Sequence, residues 1–274
     1  NSMSRLGLRL AVAFVLVVSV ALAILTARAV RTITAAQNAS LQAAAEDHLA
    51  AVQAIFHEEA LGIAARLAPL ADVRELRFRV QPGAPPALEP TSETATTIVA
   101  PPQSAGPLDP AGLQRFVEEI LPVTGLDLLE ITALDGEILA RGQYPEAFGE
   151  IREDATVAAA ERGRSSVLVR PEFFRDTYHP ALTVVLPILS RTGDSQSAVA
   201  ALSGGLRLDH LARRLGRLRG SIVVIATEAG TVASAPLPAA VTGSGLVRAG
   251  EDFYWSGVTP LAVHGASLGT LTVL

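Results

Sequence analysis

The chain has 274 residues, a formal net charge of −5 and no cysteine, and all 22 of its basic residues are arginine. Without cysteine there is no disulfide framework, thiolate metal site or cysteine nucleophile, and without lysine there is no Walker-A phosphate site or Schiff-base chemistry. Arg213, Arg214, Arg217 and Arg219 are scattered within an acidic chain, which argues against nucleic acid as a partner.

Between Arg9 and Arg28 lie 18 residues without a charge, LAVAFVLVVSVALAILTA. As a helix they reach about 27 Å, close to the ~30 Å hydrocarbon core of a bilayer. Ala27-Arg28-Ala29 offers a small-residue cleavage site, but the run exceeds the usual ~7–15 residues of a signal peptide and the helical pattern continues past it. Residues 10–27 are therefore expected to form a retained transmembrane helix. Arg5 and Arg9 before it balance Arg28 and Arg31 after it. Short basic N-termini usually stay inside, so residues 1–9 are expected in the cytoplasm, with the body outside the inner (cytoplasmic) membrane on its periplasmic or extracellular side.

The helical period then continues. Leu49, Val52, Phe56, Ala60, Ile63, Leu67 and Leu70 recur every three or four residues, with Glu46, Asp47, Glu58 and Arg66 off that stripe. The spacing predicts a stalk helix over 28–70, ended or kinked at Pro69, whose stripe faces the protein's own core, a second copy, or one of these at each end. Residues 81–110 hold eight prolines and read as an extended insertion, with a short edge strand at Thr96–Val99. Asp109-Pro110 then reads as the start of a helix to about Leu121.

A hairpin follows, with strands at Leu126–Ala133 and Glu137–Arg141 around Asp135-Gly136. A helix is expected over Glu150–Arg162, then strands at Ser165–Val169, Ala181–Leu189 and Ala198–Leu206, and a basic helix capped by Asp209 and reaching about Arg219. The hairpin pattern recurs 94 residues later: Ile131 aligns with Ile225, Gly136 with Gly230 and Ile138 with Val232. A proline-interrupted strand also recurs, Val184–Ile188 and Gly257–Leu261, each before a further strand. Two copies of one antiparallel α+β unit explain both repeats.

Enzyme motifs do not survive inspection. Gly265-Ala266-Ser267-Leu268-Gly269 matches G-x-S-x-G, but no acid or histidine follows Ser267, so a glycine-flanked hairpin turn explains it better. His57-Glu58-Glu59 lacks the second histidine of H-E-x-x-H. His48 and His57 fall on opposite helix faces, with His48 expected in solvent. No catalytic, metal-ligating or cofactor-holding residues are expected in this segment.

What remains suits binding. Arg141, Gln143 and Tyr144 close the first hairpin. Arg164, Arg170, Phe173, Phe174, Arg175, Asp176, Tyr178 and His179 border the next strand and its connecting loop. Aromatic walls beside guanidinium forks fit a small anion such as a carboxylate. Arg141, Tyr144, Arg170, Phe173, Arg175, Asp176, Tyr178 and His179 are the candidate ligand-binding residues. Phe253-Tyr254-Trp255 reads as a core-facing strand start in the second unit.

The membrane helix running into a stalk, the hairpin LLEITALDGEILARG (128–142), the proline-bearing strand HPALTVVLPI (179–188), its return ALSGGL (201–206) and the opening Asp209-His210-Leu211 of the next helix are together similar to the double Cache (PAS-like) extracytoplasmic sensor domains of bacterial sensor histidine kinases and chemoreceptors. The resemblance implies a membrane-distal unit at 71–207 holding the ligand, a membrane-proximal unit at 208–274, a second membrane helix beyond Leu274 and a cytoplasmic output module. The insertion at 81–110 is longer than such a domain needs, and no residue-level match to the family's amino-acid motif is present. The expected function is ligand sensing by a homodimeric two-component histidine kinase. Chemoreceptor and diguanylate cyclase outputs are the alternatives within the class. A membrane-anchored periplasmic hydrolase using Ser267, or a partner-binding protein, are the alternatives outside it.

Overall fold

A computed structural model describes residues 2–73, 76, 80, 110–147, 149–152, 155–174, 177–192, 195–219, 221–237, 245–249, 252–263 and 266–274. The expected strand at Thr96–Val99, and all of the proline-rich insertion but Pro110, lie outside them. The fold is α+β: a long apolar helix followed by two antiparallel sheets.

Helix α1 runs unbroken over Ser2–Ala71, on the order of 105 Å, with Pro69 in its last turn. Its two halves differ. Every described side chain from Leu16 to Ala44 is exposed, including Leu16, Leu22, Ile24 and Leu25. The stripe from Leu49 to Leu67 is buried, and Leu70 half-buried. Three hydroxyls of the bare half are satisfied within the helix: those of Thr26, Thr32 and Thr34 donate to the carbonyls of Leu22, Arg28 and Val30. Such internal bonding is what a low-dielectric surrounding requires. His48 is half-buried rather than solvated, because it lies next to the stripe at Leu49.

Helix α2 (Pro110–Thr124) passes Leu121 and carries Pro122 in its last turn. It stops at Gly125, whose φ of 65° closes the C-terminus. The first sheet contains β1 (Leu128–Ala133), β2 (Ile138–Arg141), β3 (Ser166–Phe174), β4 (Thr177–Thr192) and β5 (Ser195–Arg207), ordered β2-β1-β5-β4-β3. Helix α3 (Ala155–Glu161) is shorter than the expected Glu150–Arg162. Residues 150–152 instead lie against the start of β2: Ile138 N–H donates to the Glu150 carbonyl (2.8 Å), and Arg152 N–H donates to the Gly136 carbonyl (2.7 Å). Pro180 in β4 stands opposite Pro171 in β3, so two residues lacking donors face each other inside the ladder.

Helix α4 (Leu208–Arg219) starts one residue before Asp209. Asp209 is therefore not the cap; in the first turn its carboxylate accepts from Arg207 and Arg213. The second sheet contains β6 (Val223–Thr227), β7 (Gly230–Ala233), β8 (Gly245–Ala249), β9 (Asp252–Val263) and β10 (Ala266–Val273), ordered β7-β6-β10-β9-β8. That order is the first sheet's order with each strand advanced by five, so one architecture occurs twice.

One buried cluster joins both sheets to α1, while Leu128, Phe174 and Ala181, and Ala160, Val185 and Ala201, form two smaller ones. Leu129, Ile131, Leu182, Val184 and Leu202 of the first sheet meet the helix stripe, as do Leu261, Val263 and Leu271 of the second. Two glycines let the helix approach closely. A Cβ at Gly204 in β5 would lie 2.6 Å from Leu67 Cδ2, and one at Gly257 in β9 would lie 2.5 Å from Leu49 Cδ1. The second sheet thus meets α1 nearer the exposed apolar stretch, and the first sheet meets it further along.

Candidate ligand-binding site

The face of the first sheet turned away from α1 carries charge. In β1, Leu129 and Ile131 face the helix, so alternation sends Glu130 to the other side. Arg141 stands directly opposite it in β2. Arg170 and Glu172, two apart in β3, share a face by the same period. Arg152 reaches in from the segment before α3.

These five side chains form one ion-pair network. Glu130 is fully buried and accepts from Arg141 Nε (2.6 Å), Arg152 Nε (2.6 Å) and Arg152 Nη2 (2.7 Å). Thr132 Oγ1 donates to it at 3.2 Å, and Arg170 Nη2 at 3.4 Å. Glu172 is nearly as buried; it accepts from Arg152 Nη2 (2.9 Å) and closely from Arg170 Nε. Burial alone pushes the Glu130 carboxyl up. The hydrogen bond from Arg152 and the charges of Arg170, Arg152 and Arg141 outweigh it and hold the carboxyl at about 2, against an ordinary 4.5. Burial likewise works against the Arg152 charge, yet bonding to Glu130 and the charges of Glu130 and Glu172 raise its pKa.

The scaffold fixes these groups from behind. Gln114 of α2 accepts from Arg141 N–H (3.0 Å) and donates to its carbonyl (2.9 Å), continuing the ladder at the free edge of β2. Gly136, with φ of 95°, makes the β1–β2 turn, and a Cβ there would lie 2.5 Å from the Arg152 carbonyl oxygen. Only glycine therefore lets the Arg152 segment close onto the turn.

Beside the network lies a cavity of about 240 Å³, lined by Ile138, Arg141, Tyr144, Glu150, Ile151, Arg152, Pro171, Glu172, Phe173 and Tyr178. Tyr144 and Phe173 meet edge-to-face at 4.7 Å, and Phe173 and Tyr178 at 5.1 Å. Of the residues singled out in the sequence, Arg141, Tyr144, Phe173 and Tyr178 line this cavity, and Arg170 lies in the network beside it. His179 is elsewhere, with its Nδ1 3.2 Å from Arg207 Nη2 and its ring against Phe174. Arg164 is exposed after α3. Arg175 and Asp176 lie outside the described residues. The expectation of a loop is corrected: Arg170 and Phe173 stand in β3, and Tyr178 and His179 in β4, because the hairpin pairs continuously from Ser166–Val185 to Phe174–Thr177.

Sequence reasoning missed Glu130, Arg152 and Glu172. Two signals were there to use. A glutamate inside the apolar run Leu-Leu-Glu-Ile needs a buried cation, and Arg170 and Glu172 at a spacing of two face the same side of a strand. Ser267 sits exposed in β10, opposite Ala262 of β9, and strand rather than helix follows it, so the nucleophile-elbow setting is not met.

No protein-family model and no curated protein matches the sequence. Several solved structures are similar to it. The ligand-binding domain of the Pseudomonas aeruginosa amino-acid chemoreceptor PctC, solved with GABA, shares 15% identity over 87% of this chain and 99% of its own (TM-score 0.48). A domain of a sensory box/GGDEF family protein from Vibrio parahaemolyticus shares 10% over 85% and 96% (0.49). The E. coli DcuS sensor domain shares 18% over 60% and 98% (0.41).

Proposed function

We propose that this chain is the ligand-sensing region of a membrane-anchored receptor, binding a small anion outside the inner membrane and relaying occupancy through α1. The observation that carries this reading is a shared scaffold. One uninterrupted helix holds the bare apolar stretch at one end, and at the other packs the sheet whose opposite face bears the arginine-lined cavity. The unit at 71–207 is the membrane-distal, ligand-holding one and the unit at 208–274 the membrane-proximal one. A ligand favouring one arrangement of the distal unit shifts the populations that α1 connects, in proportion to its differential affinity. On the sequence resemblance, the assigned output is a histidine kinase working as a homodimer.

The test is thermal unfolding of the full chain in lipid nanodiscs against carboxylates, amino acids and polyamines. A ligand at 100 times its Kd stabilises by about 2.7 kcal/mol. A carboxylate is expected to raise Tm, and Arg141→Ala to abolish that rise. If only polyamines shift Tm, or no compound in the panel does, the reading falls.

A further inference from the structure

The hairpin that walls the cavity also holds the start of α4. Phe173 and Tyr178 line the cavity, and the next residue in each strand, Phe174 and His179, turns to the opposite face of the hairpin. There both meet Arg207, the last residue of β5 and the one before α4. The Arg207 guanidinium carbon lies 5.4 Å from the centre of the Phe174 ring, and Nη2 donates to His179 Nδ1 at 3.2 Å. A guanidinium only donates, so Nδ1 is the acceptor. The same guanidinium grips Asp209, in the first turn of α4, through Nε (2.9 Å) and Nη2 (2.8 Å). A two-point fork of this kind fixes orientation as well as distance. We propose that Arg207 is a coupling residue: it passes displacement of the cavity hairpin to α4, and so to the second sheet, by a path that does not begin at the α1 stripe. Its use in signalling rests on the cavity being the sensory site.

The rest of α4 is tied to both bodies that it would move. Leu211 and Leu215 belong to the large buried cluster. A Cβ at Gly216 would lie 2.6 Å from Ser234 Oγ, so the helix lies close against the end of β7. Arg214 pairs with Glu59 of α1. The second carboxylate oxygen of Glu59 is buried with no hydrogen-bond partner among the described residues, so Arg214 is the group that ties it. Breaking such a pair leaves a poorly solvated charge behind, which holds the two helices together more firmly than an open surface pair does. Glu59 falls between Leu49 and Leu67, the two points where α1 approaches the sheets most closely. A push that enters α4 at Asp209 therefore reaches β7 at Gly216 and α1 at Glu59.

The test puts a covalent adduct in place of a ligand, since the chain has no cysteine of its own to compete. Tyr178 is 71% exposed, so Tyr178→Cys is open to reaction with a naphthyl maleimide. Amide hydrogen exchange of the full chain in nanodiscs is read with and without the adduct. The adduct is expected to change exchange at least threefold in β3 and β4, and also in α4 and in β6 and β7. In an Arg207→Gln background the response in β3 and β4 is expected to remain, and that in α4, β6 and β7 to fall by more than half. A merely structural arginine would shift the resting exchange of α4 and leave its response to the adduct unchanged. His179→Ala opens only the hairpin side of the joint, is expected to give the same loss of response, and decides the matter if Arg207→Gln does not fold. No response in α4 of the Tyr178→Cys chain overturns the proposal, as does a response in α4 that persists undiminished in the folded variants. Because the adduct stands in for a ligand, failure of the carboxylate panel above overturns the sensory reading and leaves the joint standing, and failure here leaves the sensory reading to that panel.

Discussion

Glu130 has no exposure and three arginines around it, so its charge is retained only because each lone pair is occupied. Removing one partner from such a network leaves uncompensated buried charge at a cost of about 3–5 kcal/mol. Glu130→Gln is therefore expected to lower stability at pH 7 by that order, read from denaturant unfolding. The pH dependence follows from the same geometry. Its folded pKa, about 2, lies below the ordinary 4.5, so its contribution is full above pH 4.5 and is lost as pH falls toward 2. The gap between wild type and Glu130→Gln is expected to stay constant from pH 6 to 8 and to close as pH falls through 4.5 toward 2. A gap that closes nearer neutrality would assign the effect to another group. At this scale the site was half legible: Arg141 and the aromatic side chains stand out because their types suit recognition. Glu130 and Arg152 reveal their role only when register pairs Glu130 with Arg141 and a loop delivers Arg152 across 22 residues of sequence.

Elements act here through turns and close approaches. Gly136 turns β1 into β2 and accepts the Arg152 N–H, so one residue sets both the hairpin and the placement of a cavity-lining arginine. Gly136→Ala combines positive-φ strain of about 1–3 kcal/mol with a clash at the Arg152 carbonyl. It is expected to lower Tm and to weaken carboxylate binding together. A lowered Tm with unchanged affinity would separate the turn from the site. The α1 stripe was legible residue by residue, because a buried helix face repeats every 3.6 residues. The Glu150–Arg162 helix was not, because backbone bonds from Glu150 and Arg152 to the hairpin compete with the helical alternative. β8 was missed altogether, its five residues lying in a glycine-rich stretch without clear alternation.

On the scale of the whole molecule, the repeat was readable from one hairpin and one proline strand, and the matching sheet orders give it physical content. The apolar end of α1 makes a separate prediction. Leu22 is exposed in the structure, and an arginine at the centre of a membrane span costs about 2.5–3.5 kcal/mol of insertion free energy. Leu22→Arg is expected to move a measurable fraction of the chain out of the membrane pellet; full retention would count against a span. Pairing of stalks is tested by the absence of cysteine. Single cysteines placed across 37–44, around the exposed Leu41, are expected to form disulfide-linked dimers with maxima three to four residues apart. Uniformly low yield across that window would remove the homodimer.

Leu49 and Leu67, each seated in a glycine notch of a different sheet, are 18 residues apart, which is five whole turns. Both seats therefore lie on one side of the rod, about 27 Å apart, while Ala27 lies about 33 Å beyond the nearer one. Sliding or turning the rod lifts both leucines from their seats at once. Tilting lifts neither far. With the seat at Gly257 as fulcrum, a 1 Å sideways push at Leu67 would swing the N-terminal apolar end by roughly 1.2 Å the opposite way, a lever whose arms are set by helix rise alone.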